Sequence, residues 1–516
     1  MAAIRARLDD SPMINGIRRF YHSLWYAVLL AVLVLLSYIF AWEVPIWALM
    51  VALTCISMVV CKDLLPTLPA TLMAVFALSF AHSPARNFDS WTPDNPYPSF
   101  SDYMTRPSTL TAIGVMLGAI LVSYVLHQLL WGDILRVFRR PTTLTIAIIP
   151  LALALLFNGA FSGSYSPLNL LFGAGIVLSW ILFYLVDYHH MPHGRDTIRY
   201  VCRVACIVLL LLVAEMVFIF ISRGVLSGGA VDTSKIHFGW GVYNCFGGIV
   251  ALLIPLIFYL AITERFGGVY YALGLVAWVA IFLSTSRSSL LFGTLALLAC
   301  VILSCFVGRH KCPYRIVALV GVACVIVGVA LFWGKIMELV PRYMEVLLDD
   351  SERFTIWKMG LDYWLEHPFL GVGFFGIEKL SYAVNYAGLL HNTIIELMAA
   401  GGTLTLLAYL FYRVKTAMLF FRRPTLSRVF LGMSILVLLG TSLLDIHTFT
   451  IYPMFYYAIV LSLAEHDYQE QREPHAEALQ TEVPKAEEPQ ILESQLEEAK
   501  AKTEQAKLQP EVEVDR

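Results

Sequence analysis

Apolar residues in this chain come in long continuous runs rather than in the alternating patterns of soluble proteins. A run of about 20 apolar residues is long enough to cross a bilayer as a helix. Backbone groups in lipid must pair within their own segment, so such runs predict helices rather than strands. The pattern predicts about fourteen membrane spans, in a range of twelve to fourteen: 23–42, 45–61, 65–82, 108–131, 143–161, 167–188, 201–222, 242–263, 269–285, 289–307, 316–334, 393–412, 429–445 and 448–465.

Composition supports this class of protein. Hydrophobic residues make up 58% of the 516 and charged residues only 14%, with a mean hydropathy of +0.70. A soluble domain has no core large enough to bury that much apolar surface. We therefore expect an all-α polytopic integral membrane protein that is surrounded by lipid and has no nucleic-acid partner.

Basic residues predict the orientation of the chain. With the N-terminus inside, twenty Lys and Arg before residue 466 fall on the cytoplasmic side and ten on the other side. The positive-inside rule then places both termini in the cytoplasm. The first apolar run lacks a small-residue cleavage site, so we expect it to be a span rather than a signal peptide.

These patterns divide the chain into five parts. We predict a cytoplasmic N-terminus (1–22), spans one to eleven (23–334), a large extracytoplasmic loop (335–392), spans twelve to fourteen (393–465) and a tail (466–516). The tail has fourteen acidic and six basic residues, a net charge of −8. Such a composition cannot form a core, so the tail is expected to be disordered. A cytoplasmic protein partner is compatible with its charge.

Two outer loops differ from simple connectors. The loop at 83–107 is rich in proline, serine and aromatic residues, which fits either a solvated connector or a sugar-stacking surface. The loop at 335–392 is long for a structureless connection. Apolar residues at helical spacing predict an amphipathic helix that ends at Pro368; they are Phe354, Trp357, Leu361, Trp364 and Leu365. The following Gly371-Val-Gly373-Phe-Phe-Gly376 lacks the strand of a nucleotide-binding motif and predicts a tight turn.

Two arginines stand on the predicted outer side. Arg287, after Ser286, lies in a very short connection between two spans, where an arginine must reach the headgroups, pair with an acid or bind an anion. A guanidinium matches phosphate oxygens well, and flanking hydroxyls add donors. Arg353 opens the amphipathic helix, where it either pairs with nearby acids or faces an anionic ligand.

A third polar cluster follows the large loop. His391 and Asn392 precede the twelfth span, and Glu396 lies within its first turns, four residues after Asn392. His391 taken alone fits an ordinary interfacial histidine as well as a proton acceptor. Other polar positions carry weaker signals: Glu215 within a span, for which we favour a structural role, and two short clusters, Tyr243-Asn244 and Asp445 with His447.

Together these motifs resemble the O-antigen ligase/polymerase superfamily. The resemblance rests on their order and on their common predicted side of the membrane: Ser286-Arg287, Arg353-x-x-x-Trp357, Pro368-x-x-Gly371-x-Gly373 and His391-Asn392. The motifs that carry the resemblance lie within roughly residues 240–460. The two apparent extra spans and the acidic tail depart from the usual pattern of the family.

The resemblance implies a GT-C-like glycosyltransferase of the bacterial inner membrane. Such enzymes move a glycan from undecaprenyl diphosphate to an acceptor hydroxyl on a lipid, a glycan or a protein. By position, Arg287 and Arg353 would bind the diphosphate and His391 would activate the acceptor. Ser286, Trp357, Asn392 and Glu396 would line the substrate site. Catalysis would require neither a metal nor a cofactor.

Two other functions remain open. A polysaccharide polymerase of the O-antigen or capsule type would use the same donor. A transporter or flippase for lipid-linked glycans would share the number of spans and use Glu215 in a proton relay. It should, however, show internal repeats, which this sequence lacks.

Overall fold

The computed structural model describes most of the chain as helix. The described residues are 2–78, 107–132, 141–163, 165–227, 230–231, 236–238, 240–308, 310–321, 323, 327, 330–331, 351–374, 376–377, 390–422, 424–444 and 451–471. Met1–Asp467 forms one compact unit. Tyr468–Arg516 forms a second, of which residues 468–471 are described. The loop at 83–107 (except its last residue), Asp445, His447 and the tail beyond residue 471 lie outside this part.

The helices are α1 (Ala2–Asp10), α2 (Pro12–Tyr21), α3 (Leu24–Phe40), α4 (Glu43–Val60), α5 (Leu68–Met73), α6 (Pro107–Leu130), α7 (Thr145–Leu156), α8 (Pro167–Ile176), α9 (Phe183–His190), α10 (Arg195–Ser222), α11 (Tyr243–Thr263), α12 (Gly267–Ser284), α13 (Arg287–Phe306), α14 (Ser351–Glu366), α15 (Thr393–Phe421), α16 (Leu426–Thr441) and α17 (Ile451–Glu470). Short 3-10 helices flank α5, at Leu65–Thr67 and Ala74–Ala77, and a π-helix, Val177–Leu182, joins α8 to α9. Two-residue strands form two antiparallel hairpins, β1 (Leu226–Ser227) with β2 (Ala230–Val231) and β3 (His237–Phe238) with β4 (Gly241–Val242).

The all-α membrane architecture agrees with the prediction. In the described part, eight helices are long and apolar enough to cross a membrane, or nine if α2 and α3, which bend by 61°, form one span. Three predicted spans appear as shorter apolar helices: Leu65–Ala77, Thr145–Leu156 and Leu426–Thr441. Most of the eleventh predicted span lies outside the described residues, so the total of fourteen stays a prediction.

Helix α11 is the centre of the bundle. Every residue from Phe246 to Ile262 is buried. The helix packs against α10, α12, α13 and α16. Small residues allow the closest contacts: a Cβ placed on Gly247 would lie 2.9 Å from Ser286 Cβ, and one on Gly293 would lie 3.3 Å from Ala251 Cβ. Because both contacts are in chain order, α11 and α13 run parallel and begin at the same end of the bundle.

The turn after α14 is inserted between two other elements. Val372 and Gly373 donate backbone hydrogen bonds to Ala399 and Ala400 of α15, at 2.8 and 2.9 Å. Phe374 N donates to Asn158 Oδ1 at 2.9 Å. Gly371 and Gly373 have φ of +66° and +88°. The glycine motif is therefore a tight turn, as predicted, and it fixes this part of the large loop against the bundle.

Candidate functional site

Arg287 follows a two-residue turn between α12 and α13. Thr285 has a φ of +60° and ends α12, and Ser286 is the N-cap of α13. The buried Ser286 hydroxyl donates to Ser289 Oγ at 2.8 Å instead of capping the helix. Arg287 is the first residue of α13 and is exposed. The positive N-terminal end of α13 and the Arg287 guanidinium thus lie side by side, which favours binding of an anionic ligand.

Glu396 holds the chain segment that carries His391. Its carboxylate is 3% exposed and accepts a hydrogen bond of 2.9 Å from the backbone N–H of Leu390. It also interacts electrostatically with His391, whose imidazole is half-buried. His391 itself has a φ of +50°. Glu396 is therefore placed to hold the backbone directly before His391.

Asn392 is the N-cap of α15. Its Oδ1 accepts from the N–H groups of Ile394 and Ile395 at 2.9 and 3.2 Å, and its Nδ2 donates to the Leu443 carbonyl at 3.0 Å. These bonds satisfy donors that a helix start leaves without partners. Asn392 thus orients the start of α15. Its predicted contact with substrate stays a prediction.

Arg353 and Trp357 lie on α14, the helix that was predicted in the large loop. Phe354, Leu361 and Leu365 are exposed, while Ile356 and Gly360 face the protein. Five apolar positions at helical spacing define a stripe but do not reveal which side contacts other helices. Exposed apolar side chains on this helix suit a lipid environment.

Gly360 sets how closely α14 approaches the start of α15. A Cβ on this glycine would lie 2.6 Å from Ile395 Cγ2 and 2.7 Å from Leu390 Cδ1. Further along, Trp364 Nε1 donates to Thr403 Oγ1 at 3.1 Å, so the two helices run in the same direction. Arg353 lies seven residues before Gly360, roughly 10 Å along a helix. It therefore lies toward the end of the bundle that carries His391.

Helix α16 connects the two halves of the site. Its residue Gly440 approaches Phe292 of α13 so closely that a Cβ would lie 2.3 Å from the ring. Two residues later the Ser442 carbonyl accepts from Thr393 N at 3.0 Å. The first turns of α13 and α15 thus flank the same end of α16, and Arg287 and His391 lie at the same end of the bundle.

Sequence patterns predicted these residues individually but not the contacts that group them. The bond from Leu390 to Glu396 spans a loop end and a helix, and no periodicity predicts it. Gly360 did carry a signal, since glycine is unfavourable within a helix unless another element packs closely there. No group of three or more His, Cys, Asp or Glu side chains suited to a metal occurs in the described part of the chain.

The family comparison covers the region just described. Residues 271–410 match the family model described as O-antigen ligase. The matched segment contains every predicted site residue, from Ser286 to Glu396. A search of curated proteins found no match. For the part of the chain that carries Arg287, Arg353 and His391, this match supports the O-antigen ligase superfamily.

Proposed function

We propose that this protein transfers a glycan from undecaprenyl diphosphate to an acceptor hydroxyl at the outer face of the bacterial inner membrane. The family match at residues 271–410 supports glycan transfer of the O-antigen ligase type in general. The observation that carries the more specific proposal is the common location of Arg287 and His391 at one end of the bundle. A cation and a proton acceptor at one site suit the displacement of an anionic leaving group by a hydroxyl.

The donor would bind with its diphosphate at the start of α13. Arg287 and the N–H groups of that helix turn offer positive charge to phosphate oxygens. Arg353 would approach from α14 and bind the same group. Negative charge develops on the diphosphate as the glycosidic bond breaks, so both guanidiniums would stabilise the transition state more than the ground state.

The acceptor would bind beside His391. The imidazole removes the proton of the acceptor hydroxyl while its oxygen attacks the anomeric carbon. The bond from that carbon to the diphosphate oxygen breaks, and the lipid diphosphate leaves with the bonding electrons. Attack from the face opposite the leaving group inverts the anomeric centre. Glu396 would hold the segment that carries the imidazole in place through its hydrogen bond with Leu390.

Replacing His391 tests the assignment of the proton acceptor. We expect His391→Ala to lower transfer by about 100- to 10,000-fold, the range of general-base catalysis. Membrane insertion and binding of the lipid-linked donor should stay as in the wild type. The measurement is glycan transfer by the purified protein in proteoliposomes that contain donor and acceptor.

His367→Ala is the matched control, because His367 lies in the same large loop, directly after α14, and takes no part in the proposed reaction. It should transfer at the wild-type rate. Normal transfer by a folded His391→Ala protein would rule out the imidazole as the base.

Ligase and polymerase activities share this chemistry and differ in the acceptor. A strain that lacks a ligase accumulates long lipid-linked polymer, whereas one that lacks a polymerase accumulates single lipid-linked units. The glycan profile of a deletion strain therefore distinguishes them. A flippase would instead move lipid-linked glycan across proteoliposomes that contain no acceptor.

A further inference from the structure

Tyr243 and Asn244 begin helix α11 close to the turn that carries Arg287. Gly247 contacts that turn, since its Cβ would lie 2.9 Å from Ser286 Cβ. Residues three and four positions apart lie on the same side of a helix, so Asn244 and Tyr243 extend the Gly247 side by one turn. Both side chains are half-buried.

The direction of α11 places its first turn at the same end of the bundle as the start of α13. The contact between Ala251 and Gly293 lies one turn further into the bundle than that between Gly247 and Ser286. Moving from Gly247 toward the start of α11 therefore leads out of the bundle, past the start of α13. Asn244 thus lies beside the proposed diphosphate position.

A buried carboxyl group fixes the start of α11. Trp240 precedes the helix and donates from Nε1 to Glu215 Oε2 at 2.9 Å. Its ring lies 4.7 Å from that of Phe76 and 5.7 Å from that of Tyr452, centroid to centroid. Glu215 is 0% exposed, and its Oε1 has no hydrogen-bond partner among the described residues. An acid inside a membrane bundle is unfavourable. Glu215 accepts the hydrogen bond from Trp240 and so holds the residues that precede α11.

We propose that Asn244 binds the first sugar of the lipid-linked donor, with Tyr243 beside it and Glu215 as a positioning residue acting through Trp240. The inference rests on the proposed function, because that sugar is bonded directly to the diphosphate at Arg287. An Asn amide offers both donors and an acceptor, which suits vicinal hydroxyls or an acetamido group. A tyrosine ring provides an apolar face for pyranose C–H groups.

Two probes separate this role from diphosphate binding: undecaprenyl diphosphate alone, and the same lipid carrying one N-acetylglucosamine. We expect the wild type to bind the sugar-bearing probe more tightly. Asn244→Ala should weaken binding of that probe about three- to tenfold, as for loss of one or two neutral hydrogen bonds, and leave the other unchanged. Arg287→Lys should weaken binding of both. Affinities are measured by titration of the purified protein in nanodiscs.

Val242→Ala is the control, because Val242 is the exposed N-cap residue of the same helix and takes no part in the proposed sugar contact. It should bind both probes as the wild type does. An Asn244→Ala protein that loses equal affinity for both probes, or loses none, contradicts the sugar contact. A wild type that binds the two probes equally contradicts this inference alone, whereas one that binds neither overturns the proposed function as well.

The positioning role of Glu215 has its own test. Glu215→Leu removes the acceptor for Trp240 and should cause the same sugar-selective loss as Asn244→Ala. Glu215→Gln keeps an oxygen that accepts the indole N–H and should restore wild-type selectivity. An equal loss for both probes in Glu215→Leu, or no rescue by Glu215→Gln, would contradict the positioning role.

Discussion

Single buried charges in this protein are held by several polar partners at once. Arg428 is fully buried, and its Nε donates to the Asp467 carboxylate at 2.8 Å. Its Nη1 donates to the carbonyls of Leu419 and Arg422 at the end of α15, at 3.1 and 2.8 Å. A helix end leaves such carbonyls without partners, and a cation there also complements the helix dipole. Arg428 therefore joins α15, α16 and α17.

Removing this guanidinium should destabilise the fold. Arg428→Met leaves the Asp467 carboxylate buried without a counter-charge, which typically lowers the free energy of unfolding by about 3–5 kcal/mol. Arg422→Met is the control, since the Arg422 side chain is exposed and should change stability by less than about 0.5 kcal/mol. Thermal unfolding in detergent measures both, and equal melting temperatures would refute the role of Arg428.

Among the elements, α15 departs furthest from a regular helix. Gly402 inside it has a φ of +67° and a ψ of −170°. The chain after α14 fills the break: Thr403 N donates to the Pro368 carbonyl at 2.7 Å, and Leu404 N donates to the Phe369 carbonyl at 3.2 Å. The kink therefore provides the surface on which the large loop returns to the bundle.

Adding one methyl group at this kink should disrupt it. A Cβ on Gly402 would lie 2.3 Å from the backbone carbon of Phe369, and only glycine adopts this φ and ψ readily. We expect Gly402→Ala to reduce the yield of monodisperse protein and its melting temperature. Gly268→Ala is the matched control, because no atom lies within 4 Å of the added methyl group. Equal behaviour of the two variants in size-exclusion chromatography would contradict this role of the kink.

Sequence patterns predicted the regular elements better than the breaks between them. Long apolar runs identified α10 and α11, because helix length and hydropathy are local properties. The break at Gly402 and the π-helix Val177–Leu182 were not predicted, since each depends on packing partners far along the chain. The same limit applies to the site. His391 and Glu396 were predicted from residue type and position, but the bond from Leu390 to Glu396 required the fold.

For the whole molecule, the distribution of basic residues predicts which end of the bundle faces outward. Tyr165, after α7, is exposed and lies on the predicted outer side. Cys312 is exposed and lies on the predicted cytoplasmic side. The test uses a Tyr165→Cys variant that has no other cysteine. In intact spheroplasts, a membrane-impermeant maleimide should label this cysteine. A variant that keeps only Cys312 should label only after lysis. The reverse result would put the candidate site in the cytoplasm.

The backbone at His391 has a consequence for why a histidine occupies that position. A φ of +50° lies in the left-handed region, where most side chains are disfavoured by about 1 kcal/mol. Asparagine and glycine adopt this conformation more easily. Folding alone would therefore favour either of them here. The proposed transfer of a proton to the imidazole gives a reason for histidine at this position that the backbone conformation alone does not give.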